Sequence, residues 1–95
     1  MYTELKKIKV ANMTGNTGRE VSNQFIIWTS EGTYFQSYDS IICFRKNDGT
    51  IYLDSNTWDY SSTTSKYRNI FLGETTAETK KNIKNKNYIL TNLNN

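Results

Sequence analysis

At 95 residues the chain is long enough for one domain with one thin core and too short for two. It carries a net charge of +3, no histidine, no proline and a single cysteine, while 14% of its residues are aromatic. Without histidine it lacks the usual general base near neutral pH, the commonest metal ligand and any Cys-His or Ser-His-Asp nucleophile, while a single thiol excludes an internal disulfide and, with no imidazole, a thiolate–imidazole zinc site.

The opening Met1-Tyr2-Thr3-Glu4-Leu5-Lys6-Lys7 is polar, unlike the apolar stretch of a signal peptide. No segment approaches the roughly 20 apolar residues that span a bilayer. The expectation is one domain, residues 1–95, in a reducing cytoplasm with no membrane contact. Residues 4–10 alternate loosely through Leu5, Ile8 and Val10 and predict a first strand; Met13 to Gly18 predicts a turn. From Val21 to Thr29 a second strand places Val21, Phe25 and Ile27 on one face and Ile26 and Trp28 on the other. After Ser30-Glu31-Gly32 the chain returns through Thr33 to Tyr38 as a hairpin.

Asp39 and Ser40 interrupt the pattern before Ile41 to Lys46, whose residues favour strands. Asn47-Asp48-Gly49 then leads to Thr50 to Asp54, and an Asp-Gly pair between two such runs is a strong hairpin signal. Cys43, inside Ile41-Ile42-Cys43-Phe44, reads as a small buried hydrophobe. Ser62 to Ser65 offer N-caps for a helix with Tyr67, Ile70 and Phe71 on one side and Gly73 closing it. Thr75-Thr76-Ala77-Glu78 is a capping box that opens a second helix running to about Asn85, with a solvated basic outer face. Tyr88 to Leu93 reads as a final strand. The fold class is α+β: an antiparallel meander of four to six strands, two short helices near the C-terminus and a last strand.

Chemistry has few places to reside. Gly15-Asn16-Thr17-Gly18 lacks the lysine of a P-loop and precedes a strand, so it is a turn. Asp54 and Asp59 flank Trp58 as a carboxylate pair, but aspartates near turns serve local hydrogen bonds first. The sequence therefore reads as a non-enzyme with no cofactor and no metal site, working by binding another macromolecule.

Two segments are candidates for that contact. In Trp58-Asp59-Tyr60 and the following Tyr67-Arg68, large aromatics beside a hydroxyl-rich loop and an arginine match the composition of interface hot spots. The bland reading has the aromatics capping the core, the hydroxyls capping a helix and Arg68 with Lys66 on a solvated face. The tail lysines Lys80, Lys81, Lys84 and Lys86 are the alternative, a phosphate-binding face with Tyr34, Tyr38 and Tyr52 as the nearest stacking platforms.

The stretches Tyr34 to Ile42, Trp58 to Ser61, Lys66 to Glu74 and Tyr88 to Leu93 together resemble an uncharacterised family of small proteins encoded by bacteriophages and mobile elements of low-GC bacteria. The resemblance covers residues 21–93 and carries no residue roles. It implies a bacterial host cytoplasm and action by stoichiometric binding to a host or defence-system protein, such as a CRISPR effector nuclease, in the manner of an anti-CRISPR inhibitor. A small basic nucleic-acid-binding protein is the second reading, and a minor virion assembly protein the third.

Overall fold

A computed structural model describes residues 8–15 and 17–94. In chain order it contains β1 (Lys9–Thr14), β2 (Glu20–Trp28), β3 (Gly32–Ser37), β4 (Ser40–Lys46), β5 (Ile51–Asp54), α1 (Ser62–Leu72), α2 (Thr76–Lys84) and β6 (Tyr88–Thr91). This is the expected α+β arrangement. The six strands form one sheet in sequence order, antiparallel from β1 to β5, with β6 parallel to β5 after the helical crossover. The first expected strand, over 4–10, falls partly outside the described residues.

Local chemistry sets the turns. After β4, Gly49 donates to the Lys46 carbonyl at 2.9 Å and Asp48 Oδ1 accepts from the Thr50 amide at 2.9 Å. Gly49 has φ 94°, a conformation glycine adopts without a Cβ penalty. Ser61 caps α1 by accepting from the Thr64 amide, and Gly73 closes it in the left-handed region. Both halves of the Thr75–Glu78 capping box are formed at the start of α2. The basic Lys81 and Lys84 in its last turn complement the negative end of the helix dipole.

Two expectations need correction. The predicted turn at Met13 begins later, because β1 runs on to Thr14 and Met13 is buried in the core. Met13 follows Ala11 on the inward face by simple alternation, and the pairing irregularity between Asn12 and Thr14 falls opposite Asn23 of β2, which has φ 66°. Ile70 does not share a face with Tyr67 and Phe71 but lies half exposed, because the inner face of α1 is centred on Thr64 and Arg68.

Pairing distributes the strand residues between two faces. The row Ala11, Ile26, Phe35, Cys43, Leu53 and Leu90 looks toward the helices. There Phe35 stacks on Phe71 with ring centroids 5.9 Å apart, and Ser37 shares a hydrogen bond with Thr64 at 3.0 Å. A pairing shift between Phe35 and Gln36 sets Ile42 and Cys43 side by side, both fully buried. Arg45 lies over the Phe71 ring and donates to its carbonyl at 2.6 Å, satisfying one of the last free acceptors of α1. Glu74, between the helices, accepts from Tyr88 Oη at 2.6 Å, from Asn82 and from Thr79, and so ties β6 to the corner. Burial, then the Glu74 hydrogen bond and charge, push the Tyr88 phenol well above its usual range.

The alternate row is Val10, Ile27, Tyr34, Phe44, Tyr52 and Ile89, one residue from every strand. It faces away from the helices. The shortest molecular extent, 22 Å, accommodates one sheet and one helical layer.

Candidate functional site

The loop between β5 and α1 holds most of the predicted contact residues, and its shape depends on one side chain. Arg68 is fully buried. Its Nη1 donates to the Trp58 carbonyl and, at 3.2 Å, to Asp59 Oδ1; its Nη2 donates to Asn69 Oδ1 and Thr76 Oγ1, both at 2.8 Å. The guanidinium also lies 5.2 Å from the centroid of the Trp58 ring. The planar fork of arginine suits this work because it addresses several acceptors at once. Arg68 is thus not on a solvated face, as the sequence suggested. A buried charge is tolerable only with this density of partners, and here the loop supplies them.

Asp59 is held from both sides. Burial opposes its ionisation, but hydrogen bonds from Ser65 and Arg68, with the charges of Arg68 and Lys80, keep its carboxyl below the usual range. Ser65 Oγ donates to it at 2.7 Å. Trp58 and Tyr67 are half-buried and pack against the core, with Lys66 5.3 Å from the Tyr67 ring centroid. Tyr60 is 51% exposed, so among the named aromatics it is the one the loop presents outward. The structure therefore brings Trp58, Asp59, Tyr60, Tyr67 and Arg68 into one neighbourhood with divided roles. Arg68 fixes the loop, Trp58 and Tyr67 seat it, and Tyr60 and Asp59 are at the surface.

The two carboxylates flanking Trp58 are each taken up by local hydrogen bonds. Asp54 is buried and accepts from the amides of Asn56, Thr57 and Leu93 and from the Thr57 hydroxyl, while Asp59 is engaged with Ser65 and Arg68. Burial raises the Asp54 carboxyl, but these hydrogen bonds outweigh it and hold the group low. Cys43 is sealed in the core, and burial pushes its thiol far above the usual range, so it is no nucleophile. Among the described residues no three Cys, Asp or Glu side chains converge to hold a metal ion. Nor is any described helix long and apolar enough to cross a membrane.

Lys80, Lys81, Lys84 and Lys86 are all exposed on or just after α2. They belong to the helical layer, whereas Tyr34 and Tyr52 stand on the opposite face of the sheet. Tyr38 is in the β3–β4 turn. Lysines and stacking rings therefore do not share one surface.

Sequence reasoning missed the sheet face itself. On it Tyr34 stacks on Phe44 with centroids 4.3 Å apart, and Phe44 on Tyr52 at 6.0 Å. Phe44 also covers Gly32, where an added Cβ would lie 2.6 Å from its ring and 2.3 Å from the Arg45 carbonyl oxygen. Only the register of five strand pairs reveals this file of rings, which alternation within single strands does not show.

No curated protein and no solved structure matches the chain. A model described as a family of unknown function matches residues 8–89, well over half of the sequence. The chain belongs to that family, DUF8033.

Proposed function

We propose that this protein acts by stoichiometric binding to another protein, with the loop around Tyr60 as its contact, and that the partner is a component of a host defence system. One observation carries the reading: a fully buried arginine, Arg68, holds the Trp58–Ser61 loop in a single shape with an exposed tyrosine on its crest. A loop already rigid loses little conformational entropy on binding, and tyrosine offers large, stiff contact area with a polar tip. Asp59, Lys66 and Lys80 give the rim both signs of charge, which suits a protein surface better than a phosphate backbone. The defence-inhibitor assignment, with a CRISPR effector nuclease as the example, rests on the resemblance to phage-encoded proteins in the segments named above. The acidic residues of the turns in the middle of the chain, Glu31, Asp39, Asp48 and Asp59, would then add mimicry of nucleic acid.

The second reading, binding of nucleic acid, is favoured by one feature, the four exposed lysines of α2 and its C-terminal end. The distance of these lysines from the aromatic file on the other face weakens it.

The test is recovery of partners from a low-GC bacterial lysate by the tagged chain and by its Tyr60→Ala variant, with and without nuclease. One protein or complex recovered equally in both treatments and lost with Tyr60→Ala is the expected result. Recovery abolished by nuclease, or by Lys80→Glu with Lys84→Glu while Tyr60→Ala retains it, would replace this reading with the second.

A further inference from the structure

We infer that the open face of the sheet is the interface between two copies of this chain, joined back to back as a four-layer helix–sheet–sheet–helix dimer. The reasoning begins with what the face lacks. By register its members are Val10, Ile27, Tyr34, Phe44, Tyr52 and Ile89, with Asn12, Phe25, Gln36 and Ile41 in the next row. Ile8 continues the alternation before β1. The charged side chains on this side among the described strand residues are Glu20, which pairs with Thr14, and Lys46, both exposed at strand ends, and Asp54, buried beneath its own hydrogen bonds. A chain whose surface is otherwise rich in charge confines it on this face to the ends of the strands.

Its apolar side chains are open to water at the two edges, Ile8 65% and Val10 57% exposed on one side and Ile89 43% on the other, while Ile27, Tyr34 and Tyr52 between them are half-buried and Phe44 is buried among its neighbours. Contiguous exposed apolar patches of this extent mark association sites in soluble proteins. Six strands spaced about 4.8 Å apart, over about five residues of 3.3 Å rise, give a footprint of roughly 500 Å² before side-chain relief is counted. That is the same order as the ~800 Å² per partner of specific protein interfaces.

Charge decides which occupant fits. A nucleic acid needs cations, and this face offers one lysine at its margin. A transient partner is met by a surface with a charged rim, as around Tyr60, whereas homodimer interfaces resemble a core cut in half. Two copies of a nearly neutral face meet without opposing like charges, although each chain carries +3 overall. A two-fold axis through the aromatic file would set each sheet on the other in the aligned packing of β-sandwiches, tyrosine hydroxyls reaching the rim. The helices would then point outward on both sides, giving two Tyr60 loops and a bivalent molecule.

Sedimentation velocity of the full chain between about 1 and 200 μM is the experiment. A species of twice the 11.1 kDa chain mass is expected. Val10→Lys with Ile89→Lys changes two already exposed positions; it should keep the circular dichroism spectrum and raise the dimer dissociation constant at least about tenfold, since each dimer would bury four unpaired charges. Lys84→Glu, on the helical side, should leave that constant unchanged. A wild-type chain that stays monomeric to the highest concentration would overturn the proposal and leave the face to a different protein. So would a dimer that the double lysine variant does not weaken, or one that Lys84→Glu dissociates. None of these outcomes touches the Tyr60 reading, which the lysate experiment addresses separately.

Discussion

Arg68 and Asp59 form an ion pair at 3.2 Å in which the arginine is wholly buried and the aspartate one-third exposed. The asymmetry makes the two residues unequal. Removing Asp59 leaves the guanidinium its other acceptors, Trp58 O, Asn69 and Thr76, and admits water at the vacated side. Removing Arg68 strands several acceptors inside the protein.

Arg68→Met should accordingly cost about 3–5 kcal/mol of folding stability, and Asp59→Asn roughly 1–2 kcal/mol, by urea unfolding at pH 7. Arg68→Glu should not yield a folded chain. Equal losses for the two positions would mean that the arginine is not the hub described here.

Gly32 faces a steric limit on top of a conformational one, its φ being 157°. A Cβ there would sit 2.3 Å from the Arg45 carbonyl oxygen, a backbone atom that cannot swing aside, and against the Phe44 ring. Gly32→Ala should lower stability by about 1–3 kcal/mol or more, the range seen for overpacked cores. Gly49→Ala, with open space around its Cβ and only its φ to oppose it, should cost about 1–2 kcal/mol. Thermal unfolding of the two variants side by side measures what the clash at Gly32 adds to a φ penalty that both positions carry.

Stability should fall in acid for identifiable carboxylates. Asp54 and Asp59 are held below their ordinary value of 3.8 in the folded state. A group depressed on folding contributes its stabilisation fully above its unfolded pKa and loses it as pH drops through the folded value. Urea midpoints should therefore be flat from pH 7 to about 5 and decline below about 4. Asp54→Asn should start less stable and show a shallower decline. An unchanged slope in that variant would shift responsibility to other carboxyls.

Cys43 gives a chemical report on the core. Enclosed among Phe35, Ile42 and Leu53 with its thiol pushed up by burial, it should be inert to a thiol reagent at pH 8 in the native protein. In denaturant it should react at once. Rapid labelling of the native chain would show that the core opens locally well below the global unfolding free energy.

Much of the architecture was readable because local chemistry dictated it. Asn47-Asp48-Gly49 is a turn, Thr75 to Glu78 a capping box and Gly73 a helix stop wherever they occur, and the structure has all three. Arg68 was misjudged because a charged side chain on a polar helix defaults to solvent, and its partners outside α1 lie in the Trp58–Asp59 loop and at the start of α2, which only tertiary packing brings to it. Thr64 and Thr79 are fully buried for the same kind of reason, each satisfied by a hydrogen bond that hydrophobic patterning does not register. The crowding of Ile42 beside Cys43 follows from a pairing irregularity, which shifts facing without changing composition.

The parallel pairing of β6 with β5 has a consequence in time. Each strand from β1 to β5 finds its neighbour across a short turn, so a growing chain can assemble the meander as it leaves the ribosome. Leu53 meets Leu90, Asp54 waits for the amide of Leu93, and Ile41 is bonded on both its backbone groups by Asn94. These late arrivals span 37 to 53 positions of sequence. Until they emerge, the buried carboxylate of Asp54 lacks one of its donors and the edge of β5 stands open to pairing with another chain. The molecule is thus most exposed to misassembly in the interval before β6 docks, and a chain shortened before Tyr88 should accumulate as aggregate where the longer chain stays dispersed.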